Sequence, residues 1–242
     1  MRVIRVPATG TATGTGTPAA AVRVLFLPGA NQEPEHFIEA GFADAVARRG
    51  LALDLYFIAP QLRHMTDREP LEAIHEQLVR PALAAGARVW ILGLSFGGLL
   101  ALLYAQRHPA TLTGLCLLAP YLGSRALSGE IEQAGGLARW QGHAAATDAP
   151  DANVTDVADA TDAADVADAE DRAAWRFVQQ RGADGLVRFL GAGSEDRFAT
   201  THRLLAAALP SAHADFIPGG HDWHTWRRLW DNFLAGKHML SP

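Results

Sequence analysis

Apolar residues fall along this chain in two kinds of stretch. Short, nearly continuous runs occur at about 22–27, 51–58, 88–94, 113–119, 185–190 and 213–217. Between them lie longer stretches, at about 34–49, 69–85, 97–108, 172–181, 197–209 and 222–235, where apolar positions recur at helical spacing. Short apolar runs bounded by turn residues read as buried strands, and the longer periodic stretches as helices. Strands alternating with helices build a mostly parallel sheet covered on both faces. The expected fold class is therefore α/β, with three layers in the order α/β/α. Trp223, Trp226 and Trp230 fit this reading as a helical stripe that faces the core.

Three segments lie outside the alternation. Residues 1–20 open with Met1-Arg2-Val3-Ile4-Arg5-Val6 and pass into Thr/Gly/Ala repeats, which read as a flexible tail. Residues 237–242 read as a second, short tail. Between 143 and 171 the chain turns acidic, and aspartate recurs at every third position from Asp156 to Asp171. A helix turns about 100° per residue, so this period carries the carboxylates around the whole circumference. No apolar face remains to offset the ordering entropy, and the segment is expected to be a solvated linker. The rest, 21–142 and 172–236, forms one α/β domain.

Composition agrees with a single buried core. Of 242 residues, 49% are apolar and 19% charged, and no apolar run has the length of a membrane span. The N-terminus has no signal-peptide pattern, so a cytoplasmic location is expected. The net charge of −5 hides an asymmetry: nine of the 26 acidic residues fall within 143–171. The remainder holds 17 acidic residues against 21 basic ones, without a Lys/Arg run, so nucleic-acid binding gains no support. Cys116, the single cysteine, lies in the apolar run Leu115-Cys116-Leu117-Leu118 and reads as a core thiol. His64 and His75 sit in a polar segment and read as surface residues.

The chemistry centres on Gly93-Leu94-Ser95-Phe96-Gly97-Gly98. This stretch follows the strand-like Val89-Trp90-Ile91-Leu92 and precedes the helix-like Leu99-Leu100-Ala101-Leu102-Leu103-Tyr104-Ala105. Strand, Gly-x-Ser-x-Gly, helix is the order of a nucleophile elbow, with Ser95 in the strained turn. The other required stations follow in order. Upstream, the run at 22–27 ends in Pro28-Gly29-Ala30-Asn31, where a backbone amide can receive an oxyanion. Downstream, one strand-like run ends in Gly193-Ser194-Glu195-Asp196 and the next in Pro218-Gly219-Gly220-His221. Each station stands at the C-terminal end of an apolar run, where parallel α/β sheets place their chemistry. Ser95, Asp196 and His221 are the candidate triad, and the amides of Ala30 and Phe96 the candidate oxyanion donors. Glu195 and Asp222 are the competing acids.

At these motifs the chain resembles the α/β-hydrolase superfamily. The closing Gly219-Gly220-His221-Asp222-Trp223 is similar to the histidine block of compact bacterial esterases, such as the esterase-D-like and enterochelin-esterase-like groups. The oxyanion loop reads Leu-Pro-Gly-Ala instead of the His-Gly types, so lipases with those loops are poor guides. The resemblance implies a compact α/β-hydrolase fold whose first hairpin is missing or reduced to Arg2–Val6, with the acidic segment in the cap position. It also implies a serine hydrolase that cleaves a carboxylic ester of a small or medium acyl substrate. No cofactor or metal is expected: His221 and His224 around Asp222 fit no zinc spacing. Asn31, Tyr121, Leu122 and Trp140 are candidate pocket residues, with Phe96 beside them. A thioesterase or acyltransferase acting on a carrier-bound acyl group remains an alternative, as does a non-catalytic binding protein. The sequence leaves the oligomeric state open.

Overall fold

The computed structural model describes residues 1–8, 22–60, 69–142, 158–180, 183, 185–236 and 238. The strands are β1 (Arg2–Val6), β2 (Val22–Leu27), β3 (Leu53–Ala59), β4 (Arg88–Leu94), β5 (Gly114–Leu118), β6 (Val187–Gly193) and β7 (His213–Ile217). They form a seven-stranded sheet in the order β1-β3-β2-β4-β5-β6-β7. Only β1, paired with β3, is antiparallel; the other neighbouring pairs run parallel. Arg2–Val6 is thus an edge strand and not part of a free tail. The chain adds β3 on one side of β2 and then crosses to β4 on the other. This reversal opens a crevice at the C-terminal ends of β2 and β4.

Helices cover both faces. On one side lie α1 (Pro34–Glu39), α2 (Phe42–Arg48) and α9 (Trp223–Ala235). Their core is aromatic: the Phe26 ring meets Phe37, Phe42, Phe57 and Trp230 at centroid separations of 5.5, 6.2, 4.5 and 5.4 Å. Trp226 and Trp230 are buried, and Trp223 is half-buried against Phe37 and Phe42. On the other side lie α3 (Glu69–Ile74), α4 (Arg80–Ala84), α5 (Phe96–Arg107), α6 (Arg125–Gln133), α7 (Ala158–Gln179) and α8 (Ala199–Ala208). Helix α5 is buried on every side from Phe96 to Ala105, because it lies between the sheet and α7.

Several elements differ from the sequence reading. The helix expected at 34–49 is two helices, broken at Gly41, whose φ of 79° only glycine adopts without strain. The stretch at 69–85 continues through a π-helical turn at His75–Val79, just ahead of Pro81. Proline has no amide to donate one turn back, and the ladder widens to accommodate it. His75 is half-buried, not on the surface; its ring stacks on His108 at 3.9 Å and its Nδ1 bonds the Tyr104 hydroxyl at 2.9 Å. His64 and residues 143–157 lie outside the described residues. Of the C-terminal tail only His238 is described, stacked on Phe233.

The largest correction concerns the acidic repeat. Helix α7 begins at Ala158, not at 172, so the second half of the repeat is helical. Alanine, the best helix former, fills many of the positions between the aspartates. The helix is also anchored by its C-terminal half, where Ala174, Trp175, Phe177 and Val178 are buried. Once that end is packed, each further residue joins an existing nucleus. The last acidic residues are partnered or packed. Asp168 accepts from Arg172 at 2.7 Å, Glu170 pairs with Arg107 at 3.4 Å, and Asp171 is buried against Gly123. Helix α6, which the periodicity did not reveal, is capped by Ser124, whose hydroxyl accepts from the Leu127 amide at 3.2 Å.

Trp175 joins α7 to the segment after β5 through a buried bond from its indole N–H to the Leu122 carbonyl, at 2.9 Å. Replacing it with phenylalanine leaves that carbonyl unpaired. Trp175→Phe is expected to lower the unfolding free energy by about 1–3 kcal/mol in urea titration. A variant as stable as the parent would show that this bond does not hold the helix.

Candidate active site

Ser95 joins β4 to α5 with φ 51° and ψ −117°, a conformation that a residue with a side chain rarely holds. The surrounding glycines explain how it is tolerated. A Cβ on Gly97 would lie 2.1 Å from the Leu27 carbonyl oxygen, and one on Gly93 2.5 Å from that of Gly97. Helix and strand meet here backbone to backbone. The turn is then fixed by its own polar groups: the Ser95 amide donates to Leu118 O and the Tyr121 amide donates to Ser95 O, both at 2.9 Å.

Three chain-distant side chains meet at this turn. The Ser95 hydroxyl lies 2.9 Å from His221 Nε2, and His221 Nδ1 lies 2.7 Å from Asp196 Oδ2. A carboxylate only accepts, so Nδ1 carries the proton and Nε2 is free to accept from the serine. Asp196 Oδ1 accepts from the Phe198 amide at 2.8 Å. Burial pushes the Asp196 carboxyl up, but the bonds from His221 and Phe198 outweigh it and hold the group below the usual carboxylate range. Phe198 and Trp226 close on the His221 ring edge to face, at 5.4 and 4.9 Å. The competing acids do not take part in this chain of bonds. Glu195 is exposed, and Asp222 caps α9 by accepting from the Thr225 amide at 2.9 Å.

The loop after β2 reaches the serine from the other side. Gly29 is so close that an added Cβ would stand 3.2 Å from Ser95 Cβ. Its amide donates to Gln32 Oε1 at 2.9 Å, which shapes the turn; Gln32 was not singled out from the sequence. Ala30 follows, exposed, and Asn31 takes a positive φ of 60°. Across the crevice Phe96 opens α5, where the first amides have no acceptor within the helix.

The candidate pocket residues separate. Tyr121 stands at the site, its ring 6.4 Å from Phe96 and 5.6 Å from Phe198. Leu122 and Trp140 are buried, and the partners described for them belong to α6 and α7. The Leu122 carbonyl is taken by Trp175. The Trp140 indole donates to Glu130 at 2.6 Å, and Arg172 lies over its ring. Phe198 and His202 are the neighbours that the sequence reading missed, because neither motif nor periodicity marks them.

Two buried titratable groups lie near this site. His202 is fully buried, and its imidazole is pushed down to about 4, chiefly by burial and against the pull of Asp196. Asp171 is pushed up to about 7 by burial first and by the charges of Asp168 and Glu170 next, with the Tyr121 hydroxyl opposing. Cys116 is buried, and its thiol is held protonated by desolvation. Among the described residues, no group of His, Cys, Asp and Glu side chains could hold a metal ion, and no helix is long and apolar enough to cross a membrane.

Strand order, crevice and elbow together define an α/β-hydrolase fold. Residues 24–232 match the alpha/beta hydrolase family, and the chain belongs to it. Among solved structures, a ferulic acid esterase superposes with a TM-score of 0.61 over 99% of this chain and 98% of its own, at 14% identity. The monoacylglycerol lipase of Paleococcus ferrophilus gives 0.53 over 98% and 100%, at 14% identity. A carboxylesterase of the thaumarchaeon Nitrososphaera gargenis gives 0.55 over 99% and 94%, at 12% identity. At these identities the likeness is one of fold. Among curated proteins, no relative matches the sequence.

The raised Asp171 carboxyl has a definite linkage. Its folded form holds a proton that the unfolded chain releases near pH 3.8, so its contribution to stability is lost as pH rises from there through about 7. Asp171→Asn is expected to gain stability relative to the parent across that window, read as a melting-temperature difference that widens with pH. A constant difference from pH 4 to 8 would contradict this assignment.

Proposed function

We propose that the protein is a serine hydrolase that cleaves a carboxylic ester of a small or medium acyl substrate through an acyl-enzyme. The observation that carries this reading is the unbroken chain from the Ser95 hydroxyl through His221 to the buried Asp196, at 2.9 and 2.7 Å. Ser95 Oγ attacks the ester carbonyl carbon while its proton passes to His221 Nε2. The amides of Ala30 and Phe96 receive the developing oxyanion, a term worth about 3–4 kcal/mol per donor where it has been measured. Collapse of the tetrahedral intermediate expels the alcohol, which takes the proton back from His221. Water then attacks the acyl-enzyme with His221 again as base, and the carboxylic acid leaves. Asp196 keeps the imidazole in the required tautomer and stabilises its charged form. The esterase and lipase names of the similar structures point the same way, and the ring faces of Phe96, Tyr121 and Phe198 supply an apolar wall for the acyl group.

A fluorophosphonate probe is expected to label the protein at Ser95, and Ser95→Ala is expected to lower ester turnover by about four to six orders of magnitude. Labelling that persists in the alanine variant would sink the assignment. A panel of esters of graded acyl length with matched thioesters separates an esterase from a thioesterase.

Asp196→Asn is expected to lower turnover by about four orders of magnitude, as loss of the triad acid does in serine proteases. Glu195→Gln and Asp222→Asn, assayed in parallel, should stay within about tenfold of the parent. If the Glu195 change proved the crippling one, the acid would have to be reassigned.

A further inference from the structure

The strand that neighbours the elbow ends in a corner that its own sequence does not favour. Ala119, directly after β5, holds a positive φ of 45°, a region disfavoured for a residue with a Cβ. Pro120 and Tyr121 follow, and this corner grips the elbow at two points. The Tyr121 amide donates to Ser95 O at 2.9 Å, and Pro120 packs so closely that a Cβ on Gly98 would lie 2.5 Å from its ring. On the far side the Ala119 amide donates to Gly191 O at 2.7 Å, on the strand that leads to Asp196.

A polar side chain of α8 reaches the backbone of this corner. His202, on α8, is fully buried, and its Nε2 lies 3.2 Å from the Pro120 carbonyl. The carbonyl only accepts, so Nε2 carries the proton; among the described residues Nδ1 then holds a lone pair with no partner. An unpaired buried acceptor costs stability, so packing alone would favour an apolar residue here. The same helix is tied to the acid. The His202 amide donates to Phe198 O at 3.0 Å, and the Phe198 amide donates to Asp196 Oδ1 at 2.8 Å.

We propose that His202 is a positioning residue: its Nε2–H bond to Pro120 holds the strained Ala119–Tyr121 corner against the elbow and so fixes Ser95 relative to Asp196. The role runs through backbone and needs no contact with substrate, and it rests on the serine-hydrolase reading above. Burial keeps the imidazole neutral at working pH, so the bond is a neutral donor to a carbonyl. An amide at the same reach can replace it, and a thioether of that length cannot.

The test compares His202→Gln with His202→Met in the full chain, beside Ser95→Ala. Glutamine places a donor at the position of Nε2; methionine has similar length and no donor. His202→Met is expected to lose about tenfold or more in kcat with KM within about threefold, and to label more slowly with a fluorophosphonate, as misplaced reacting groups require. His202→Gln is expected to restore kcat and labelling to within about threefold of the parent. Full turnover in the methionine variant overturns the proposal, as does equal loss in both, or a loss in KM alone. Should the methionine variant fail to fold, the labelling rate of the glutamine variant decides: near the parent's rate supports the role, and about tenfold slower overturns it. Turnover surviving in Ser95→Ala would instead defeat the hydrolase reading, whatever the His202 variants do.

Discussion

The close approach of α5 to the ends of β2 and β4 is the constraint from which the site follows. With the Gly97 Cβ position 2.1 Å from the Leu27 carbonyl oxygen, no side chain fits between helix and sheet at this point. The turn that links them has room for one residue in an unfavourable conformation, and that residue is Ser95. Its strain of φ 51° is supported by backbone bonds to Leu118 and Tyr121, on the neighbouring strand and its extension. A side chain held this way keeps its geometry without a ligand to organise it.

The remaining parts of the site reach this point along independent strands. Asp196 follows β6, His221 follows β7, and the Gly29 loop follows β2. Parallel pairing fixes the height of each strand end against the next, so residues 126 apart in sequence meet at 2.9 Å. The aromatic packing of Phe198 and Trp226 on His221 then removes the ring's freedom to turn away. Electrostatics follow from the same geometry. Asp196 is buried, and two hydrogen bonds compensate its charge, whereas Asp171 is buried with an oxygen that has no partner among the described residues and is pushed towards neutrality.

The strands and the order of the stations were legible in the sequence because they rest on local signals. Buried parallel strands are short apolar runs, and glycine at an elbow is a steric necessity read from two positions. What escaped was set by contacts between distant segments. Gly41 breaks a periodic stretch whose apolar spacing continues across it, and the pattern alone does not register a positive φ. The acidic repeat has no apolar stripe of its own, yet Ala158–Gln179 is one helix because Trp175 and Val178 are buried in the core. Leu122 and Trp140 were placed near the site by their proximity in sequence to a strand end. The partners described for them belong to α6 and α7, while Phe198 and His202 arrive from beyond β6 with no local mark.

Helix α7 belongs to two parts of the molecule at once. Trp175 and Val178 complete the core beneath α5, while Arg172, one turn earlier, bonds Asp168 of its own helix and Glu130 of α6. Recombination among relatives therefore cannot exchange this covering segment as a cassette bounded by loops. A crossover within the last two turns would separate a side chain from its buried partner.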